Sequence, residues 1–271
     1  MPRRIKLTIE YDGTDFKGWQ VQSGERAGES GDDAVRTVQG AVEWGLRRVT
    51  GQPIRIAGAS RTDAGVHALG QVASFLLPDE ILIPTDELCM ALNSNMDKDV
   101  AAVSAEEVGL DFHAQRDSTG KIYAYAMYTR RERPAVIRRN HWHVRFKLDV
   151  ELMRIGARAL IGEHDFTSFA SRLALTQSIR EEEGKDALKT VREIRRIEFS
   201  EDAEMPGRLV MRIEGSGFLY QMVRTIAGTL VDVGRGFRTP EWVGEALEAN
   251  DRRAAGPTAP PHGLCLERVL Y

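Results

Sequence analysis

The order in which two periodicities alternate along the chain restricts its fold more than any other feature. Ile5, Leu7, Ile9 and Tyr11 alternate with Lys6, Thr8 and Glu10, a half-buried strand that a turn at 11–14 closes. Val38, Ala41, Val42, Leu46 and Val49 then recur at spacings of three and four, behind Thr37 as cap and ahead of Gly51 as stop. A β-prone run at 54–56, an alternating run at 72–77, an amphipathic helix over 85–96 and a strand over 100–108 complete the order β, α, β, β, α, β. The order then repeats. A strand at 121–129 precedes a helix capped by Asp149, and strands follow at 191–199 and 208–214. Phe218, Met222, Ile226, Leu230 and Val233 step along a helix that stops at Gly234, a further helix opens at Thr239 and Pro240, and a last strand runs over 264–270. Two such repeats predict an α+β fold of two ferredoxin-like (split βαβ) halves, 1–108 and 109–271, with antiparallel sheets flanking a central cleft.

Composition narrows the function classes. Of 271 residues, 42 % are apolar and 28 % charged, the balance of a globular protein, and no apolar run approaches the roughly 18 residues of a membrane span. The first residues enter strand-like sequence without the apolar core of a signal peptide, so the expected location is the cytoplasm. Cys89 and Cys265 sit among apolar residues and read as buried thiols in a reducing compartment. A net charge of −3 does not suit a protein that coats nucleic acid indiscriminately. Its distribution is uneven: over 112–145 eight basic residues face two acidic ones, interleaved with Tyr123, Tyr125, Tyr128, Trp142 and three histidines. That mixture stacks on bases while holding phosphates. By contrast 23–33 carries three glycines and four acids without apolar periodicity and reads as a mobile loop.

The polar stretch best placed for chemistry is Gly-Ala-Ser-Arg-Thr-Asp-Ala-Gly-Val-His-Ala at 58–68, followed by Gly70-Gln71-Val72. Asp63 lies two residues from Arg61 on a loop where Gly58 and Gly65 permit close approach of a ligand, which suits covalent chemistry by a carboxylate. The same residues are compatible with a turn-forming aspartate and a solvated surface pair. Arg224, on an otherwise apolar helix, requires a partner, for which Asp63 is the expected one, or a route for its head to solvent. His141 and His143 have no third ligand at suitable spacing, so no metal is expected and both are read as RNA-facing or exposed. Gly234-Arg235-Gly236 is too short for a dinucleotide loop and no Gly-Lys-Ser/Thr run exists, so no nucleotide cofactor is expected.

The 58–68 stretch resembles the signature of the TruA-type tRNA pseudouridine synthases. The likeness extends to Tyr11-Asp12-Gly13-Thr14, Gly18-Trp19-Gln20, Thr37-Val38-Gln39-Gly40, Asp111-Phe112-His113-Ala114 and His164-Asp165-Phe166-Thr167-Ser168-Phe169. It continues through Phe218 to Arg224 and Ala259-Pro260-Pro261-His262-Gly263-Leu264; Thr176 stands where the family often carries Cys. The resemblance implies a cofactor-independent, cytosolic isomerase, a homodimer that binds RNA in the central cleft. Its substrate would be uridine in the anticodon stem-loop of tRNA, at positions 38, 39 and 40. It implies Asp63 as nucleophile and Tyr123, in Lys121-Ile122-Tyr123-Ala124-Tyr125, stacked on the extruded uracil. Arg61 would contact the RNA backbone or fill the vacated stack, and Arg224 would keep the carboxylate ionised. The carboxylate adds to C6, attacks C1′ or takes the C2′ proton, and the sequence does not choose among these. Two other readings are a same-fold synthase with other RNA targets and a non-catalytic RNA-binding protein or chaperone.

Overall fold

The computed structural model describes residues 1–21, 35–171 and 190–271. The loop expected at 23–33 and Thr176 lie outside them. The chain forms two compact units, Met1–Thr119 with Cys265–Tyr271, and Gly120–Leu264.

In the first unit β1 (Arg3–Tyr11) buries Ile5, Leu7, Ile9 and Tyr11 on one face, as their alternation requires. α1 (Val38–Thr50) opens where Thr37 Oγ1 accepts from Gly40 N at 3.2 Å and ends at Gly51, whose φ of 73° suits a residue without a Cβ. The paired β2 is only Ala57–Gly58; in the preceding run Ile56 N donates to the Glu43 carboxylate at 3.2 Å instead of to a strand. β3 (His67–Leu77) is antiparallel to β1, with Ile5 opposite Phe75 and Leu7 opposite Ala73. α2 (Thr85–Asn93) stops three residues before the expected end, because the Asn93 amide bonds both backbone groups of Ala102, at 2.7 and 3.0 Å, on β4 (Val100–Val108). The strand order β4-β1-β3-β2 is that of a split βαβ unit.

The last strand, Leu264–Leu270, lies parallel to β3 through Cys265 with His67 and Leu266 with Ala68, whereas the repeat pattern counts it as the closing strand of the second half. Gly70 permits the approach, since a Cβ there would overlap the Glu267 carbonyl. The units divide at 119/120, where the sequence suggests 108/109. Phe112 packs on Tyr271 at 5.2 Å, Tyr271 Oη donates to Ala114 O at 2.8 Å and Thr119 N to Leu270 O at 2.8 Å, all within the first unit.

The second unit runs β5 (Gly120–Tyr128), β6 (Trp142–His143), α3 (Val150–Ala157), β7 (Gly162–Asp165), β8 (Val191–Glu201), β9 (Arg208–Gly215), α4 (Met222–Gly234) and α5 (Trp242–Glu248). Its sheet is antiparallel in the order β5-β9-β8-β7, with β6 parallel beside β5. Asp149 caps α3, accepting from Glu151 N and Leu152 N at 3.0 and 3.1 Å. α4 begins at Met222 and not at Phe218, because Gln221 sits in the left-handed region at φ 65° and Met222 N turns back to Leu219 O at 3.0 Å. α5 begins at Trp242, with Pro240 O accepting from Val243 N at 3.2 Å ahead of it. Strands and helices together make the fold α+β. Among the described residues no helix is long and apolar enough to cross a membrane. The two thiols are half-buried, not fully buried, and burial pushes that of Cys265 up to about 12.

The expected exposed pair of histidines divides. His143 Nε2 meets the Arg130 carbonyl at 2.8 Å, whereas His141 is buried and its Nε2 accepts from Arg208 Nε at 2.9 Å. Because an arginine always donates, the His141 proton resides on Nδ1, facing Asn140 Oδ1 at 2.8 Å. Burial first, and the Arg208 charge second, hold its pKa down at about 4 against an ordinary 6.5. The folded state refuses a proton that the unfolded chain accepts, so this contribution is complete above pH 6.5 and is lost as the pH falls from 6.5 to 4. The loss amounts to at most about 3 kcal/mol. Denaturation at pH 7 and pH 4.5 is expected to show a smaller drop in His141→Gln than in the parent; equal drops would refute the assignment.

Candidate active site

In the first unit the backbone around Asp63 is held from several sides. Ala59 N donates to Val72 O at 2.7 Å, and the buried Gln71 side chain takes the place of a further strand partner for Ser60. Its Nε2 donates to Ser60 O at 2.7 Å and its Oε1 accepts from Ser60 N at 3.2 Å. Thr62 Oγ1 lies 2.7 Å from Tyr11 Oη in a buried hydrogen bond, and Thr62 O accepts from Trp19 N at 3.1 Å. Asp63 O accepts from Val66 N at 3.2 Å, closing a turn in which Gly65 adopts φ 78° and donates to Phe16 O at 3.3 Å. Beyond the turn, His67 Nδ1 lies 3.1 Å from Gly13 N.

Two glycines supply the clearance for these contacts. A Cβ at Gly58 would enter the Trp19 ring, and one at Gly18, whose φ is 102°, would come within 2.8 Å of Thr62 O. The result is a rigid turn with Asp63 half-buried and Arg61 exposed on either side of a buried Thr62. Tyr11, Trp19, Thr62 and Gln71 hold the backbone around Asp63, and the sequence did not single them out for this. Their signal was present in the matching Tyr11-Asp12-Gly13-Thr14, Gly18-Trp19-Gln20 and Gly70-Gln71-Val72 runs, without indicating what they hold.

In the second unit Tyr123 is 6 % exposed on β5, and its ring meets Phe218 edge-on at 5.4 Å. Lys121, on the same face of the strand, has its pKa lowered by burial and then by the Arg192 charge. Tyr125, fully buried, donates to Pro260 O at 2.7 Å, and burial raises its pKa. Every residue of α4 is buried except Arg224, which is half-buried. Arg224 Nε donates to Ala259 O at 2.8 Å, while Ala259 N donates to Arg224 O at 3.1 Å. Gly256 N donates to Thr229 Oγ1 at 2.9 Å, and Gly228 faces the Pro257 carbonyl where a Cβ would overlap it. The segment from Gly256 to Gly263 is thereby laid along α4. Among the described residues no group of three or more His, Cys, Asp or Glu is placed to hold a metal.

Comparison with known proteins gives the family. The family model described as tRNA pseudouridine synthase matches residues 7–117 and 157–271. The chain belongs to the tRNA pseudouridine synthase family, isomerases that convert uridine to pseudouridine in tRNA. It is 45 % identical to the tRNA pseudouridine synthase A of Myxococcus xanthus, over all of this chain and 92 % of the other. It is 40 % identical to tRNA pseudouridine synthase A 2 of Clostridium perfringens and to tRNA pseudouridine synthase A of Geobacter sulfurreducens, over 99 % of this chain and the whole of each relative. A chain of the solved Cbf5-Nop10-Gar1 complex aligns with a TM-score of 0.33 at 10 % identity, over 96 % of this chain and 57 % of that one. The family model omits 118–156, which holds Tyr123 and most of the basic segment, while the full-length relatives align across it.

The Thr62 clamp has a measurable consequence. Thr62→Val keeps the side chain's shape and removes this hydrogen bond to the buried Tyr11 hydroxyl, at a cost of about 1 kcal/mol. Tyr11→Phe combined with Thr62→Val is expected to cost less than the sum of the two single changes by denaturation, and strict additivity would rule out the coupling.

Proposed function

We propose that this chain isomerises uridine in the anticodon stem-loop of tRNA, at positions 38, 39 and 40, with Asp63 as nucleophile. Tyr123, Arg61 and Arg224 bind the substrate, the working enzyme is a homodimer, and its compartment is the cytoplasm. The chemistry breaks the N1–C1′ bond, turns the uracil, forms the C5–C1′ bond, removes the C5 proton and returns one to N1. Atoms and electrons balance without an oxidant, reductant or energy source. Addition to C6, attack on C1′ and removal of the C2′ proton all ask the same of the protein: a carboxylate held still while the base moves.

One observation carries this reading. Asp63 follows a residue whose side chain and carbonyl are both hydrogen-bonded, and it opens a turn that its own carbonyl closes. A surface turn former needs only the second of these; a nucleophile that must hold its position benefits from both. Arg61, exposed beside it, suits a phosphate, and Tyr123 and Arg224 lie in runs that resemble the family's.

Asp63→Asn preserves shape and removes the charge. It is expected to bind tRNA within about two-fold of the parent by filter binding, and to lower pseudouridine formation by at least about 10³-fold, the scale of losing an essential covalent catalyst. Retained turnover would exclude Asp63 as nucleophile. In cells lacking the protein, pseudouridine sequencing is expected to lose signal at tRNA positions 38 to 40; loss at other sites would reassign the target.

A further inference from the structure

Away from the residues assigned above, the second unit displays aromatic rings and guanidinium groups in alternation. Phe146 and Phe237 are 54 % and 62 % exposed. The Arg235 guanidinium carbon lies 5.6 Å from the Phe146 ring centre and 4.7 Å from that of Phe237. That of Arg238 lies 5.2 Å from Phe237 and 4.9 Å from Trp242. The surface order is therefore Phe146, Arg235, Phe237, Arg238, Trp242.

This display is built into the fold. Asp149 N donates to Gly234 O at 2.7 Å, which brings the segment after Phe146 to the end of α4. Phe237 N and Arg238 N both donate to Asp232 O, at 3.0 and 3.2 Å, around Gly236 at φ 73°. The Asp232 carboxylate, nearly buried, lies 3.1 Å from the Arg235 guanidinium and fixes it between the two rings. Arg145 and Lys147 flank Phe146 and are exposed. Of the nearby acids, Asp149 is engaged as the α3 cap and Glu241 with Thr239.

An apolar docking face for another protein would be depleted of charge at its centre. Here each exposed ring carries a cation. A guanidinium over a phenyl ring keeps its charge, Arg235 being paired with Asp232 and Arg238 lying between Phe237 and Trp242, while both Phe residues remain more than half exposed. A base with its attached phosphate offers the matching pair of surfaces. We propose that Phe146, Arg235, Phe237 and Arg238 form a second RNA-contacting surface, which stacks an unpaired nucleotide of the tRNA and holds its phosphate. The proposal rests on tRNA being the substrate, as family membership has it.

The test uses full-length tRNA and the full chain. Phe146→Ala with Phe237→Ala is expected to raise the Kd about 5- to 100-fold, the range for losing a stacked base. Arg238→Gln is expected to lower the slope of log Kd against log salt by about one contact's worth. Phe237→Trp should retain parent affinity, whereas Phe237→Leu, apolar but unable to stack, should not. An unchanged Kd in the double Phe variant with an unchanged melting temperature overturns the proposal. A fall in sedimentation mass with tRNA binding intact overturns it in favour of a protein interface. If the parent itself neither binds nor modifies tRNA, the family-level activity fails, a result distinct from any variant's.

Discussion

Hydrogen bonds to Thr62 hold the turn that carries Asp63. Its hydroxyl reaches Tyr11 at the end of β1 and its carbonyl reaches Trp19 in the turn that follows, so the residue before Asp63 is held at two points by chain far away in sequence. A loop of this composition would otherwise retain much of its conformational entropy, on the order of 1–2 kcal/mol per residue. The Gln71 amide removes more of that freedom by bonding both backbone groups of Ser60 from within β3. Gly18 and Gly58 matter for the space they leave: larger residues would push against Thr62 and Trp19 and loosen the same clamp.

The second unit solves a related problem with a helix. α4 is buried on all sides but one, and Arg224 occupies that side. Its Nε bond to Ala259 O means the arginine also serves the Gly256 to Gly263 segment, which is rich in proline and so short of backbone donors. Thr229 and Arg252 complete the attachment, the latter through Gly256 O at 2.9 Å. The helix, the segment and the arginine are one mechanical piece, and any substitution that shifts one of them acts on the others. The C-terminal end of the same helix sets the positions of Phe237 and Arg238 through the Asp232 carbonyl and of Arg235 through the Asp232 carboxylate, so a buried element organises the surface at its end as well as the arginine near its start.

Much of this was legible beforehand, for identifiable reasons. β1, α1, β4 and the last strand follow from periodicities and caps that act over a few residues, and the eleven-residue run around Asp63 carries the family. Misjudged features depended on partners distant in the chain. α2 ends early because Ala102 captures Asn93; α4 starts late because Gln221 takes a left-handed conformation that apolar spacing does not reveal. His141 differs from its neighbour His143 because Arg208, 67 residues away in the chain, donates to it.

Local side-chain pattern by itself determined that this chain is α+β, where most of its strands and helices lie, and which short motifs are exceptional, because those properties are set by neighbours within a turn or two. Only the tertiary structure decided that Thr62 and Gln71 hold the Asp63 loop, that Arg224 is the one residue of its helix left unburied, and that Phe146 and Phe237 share the Arg235 guanidinium. Each of these depends on a contact between residues remote in the chain, and such a contact has no energy until the fold has brought both sides together.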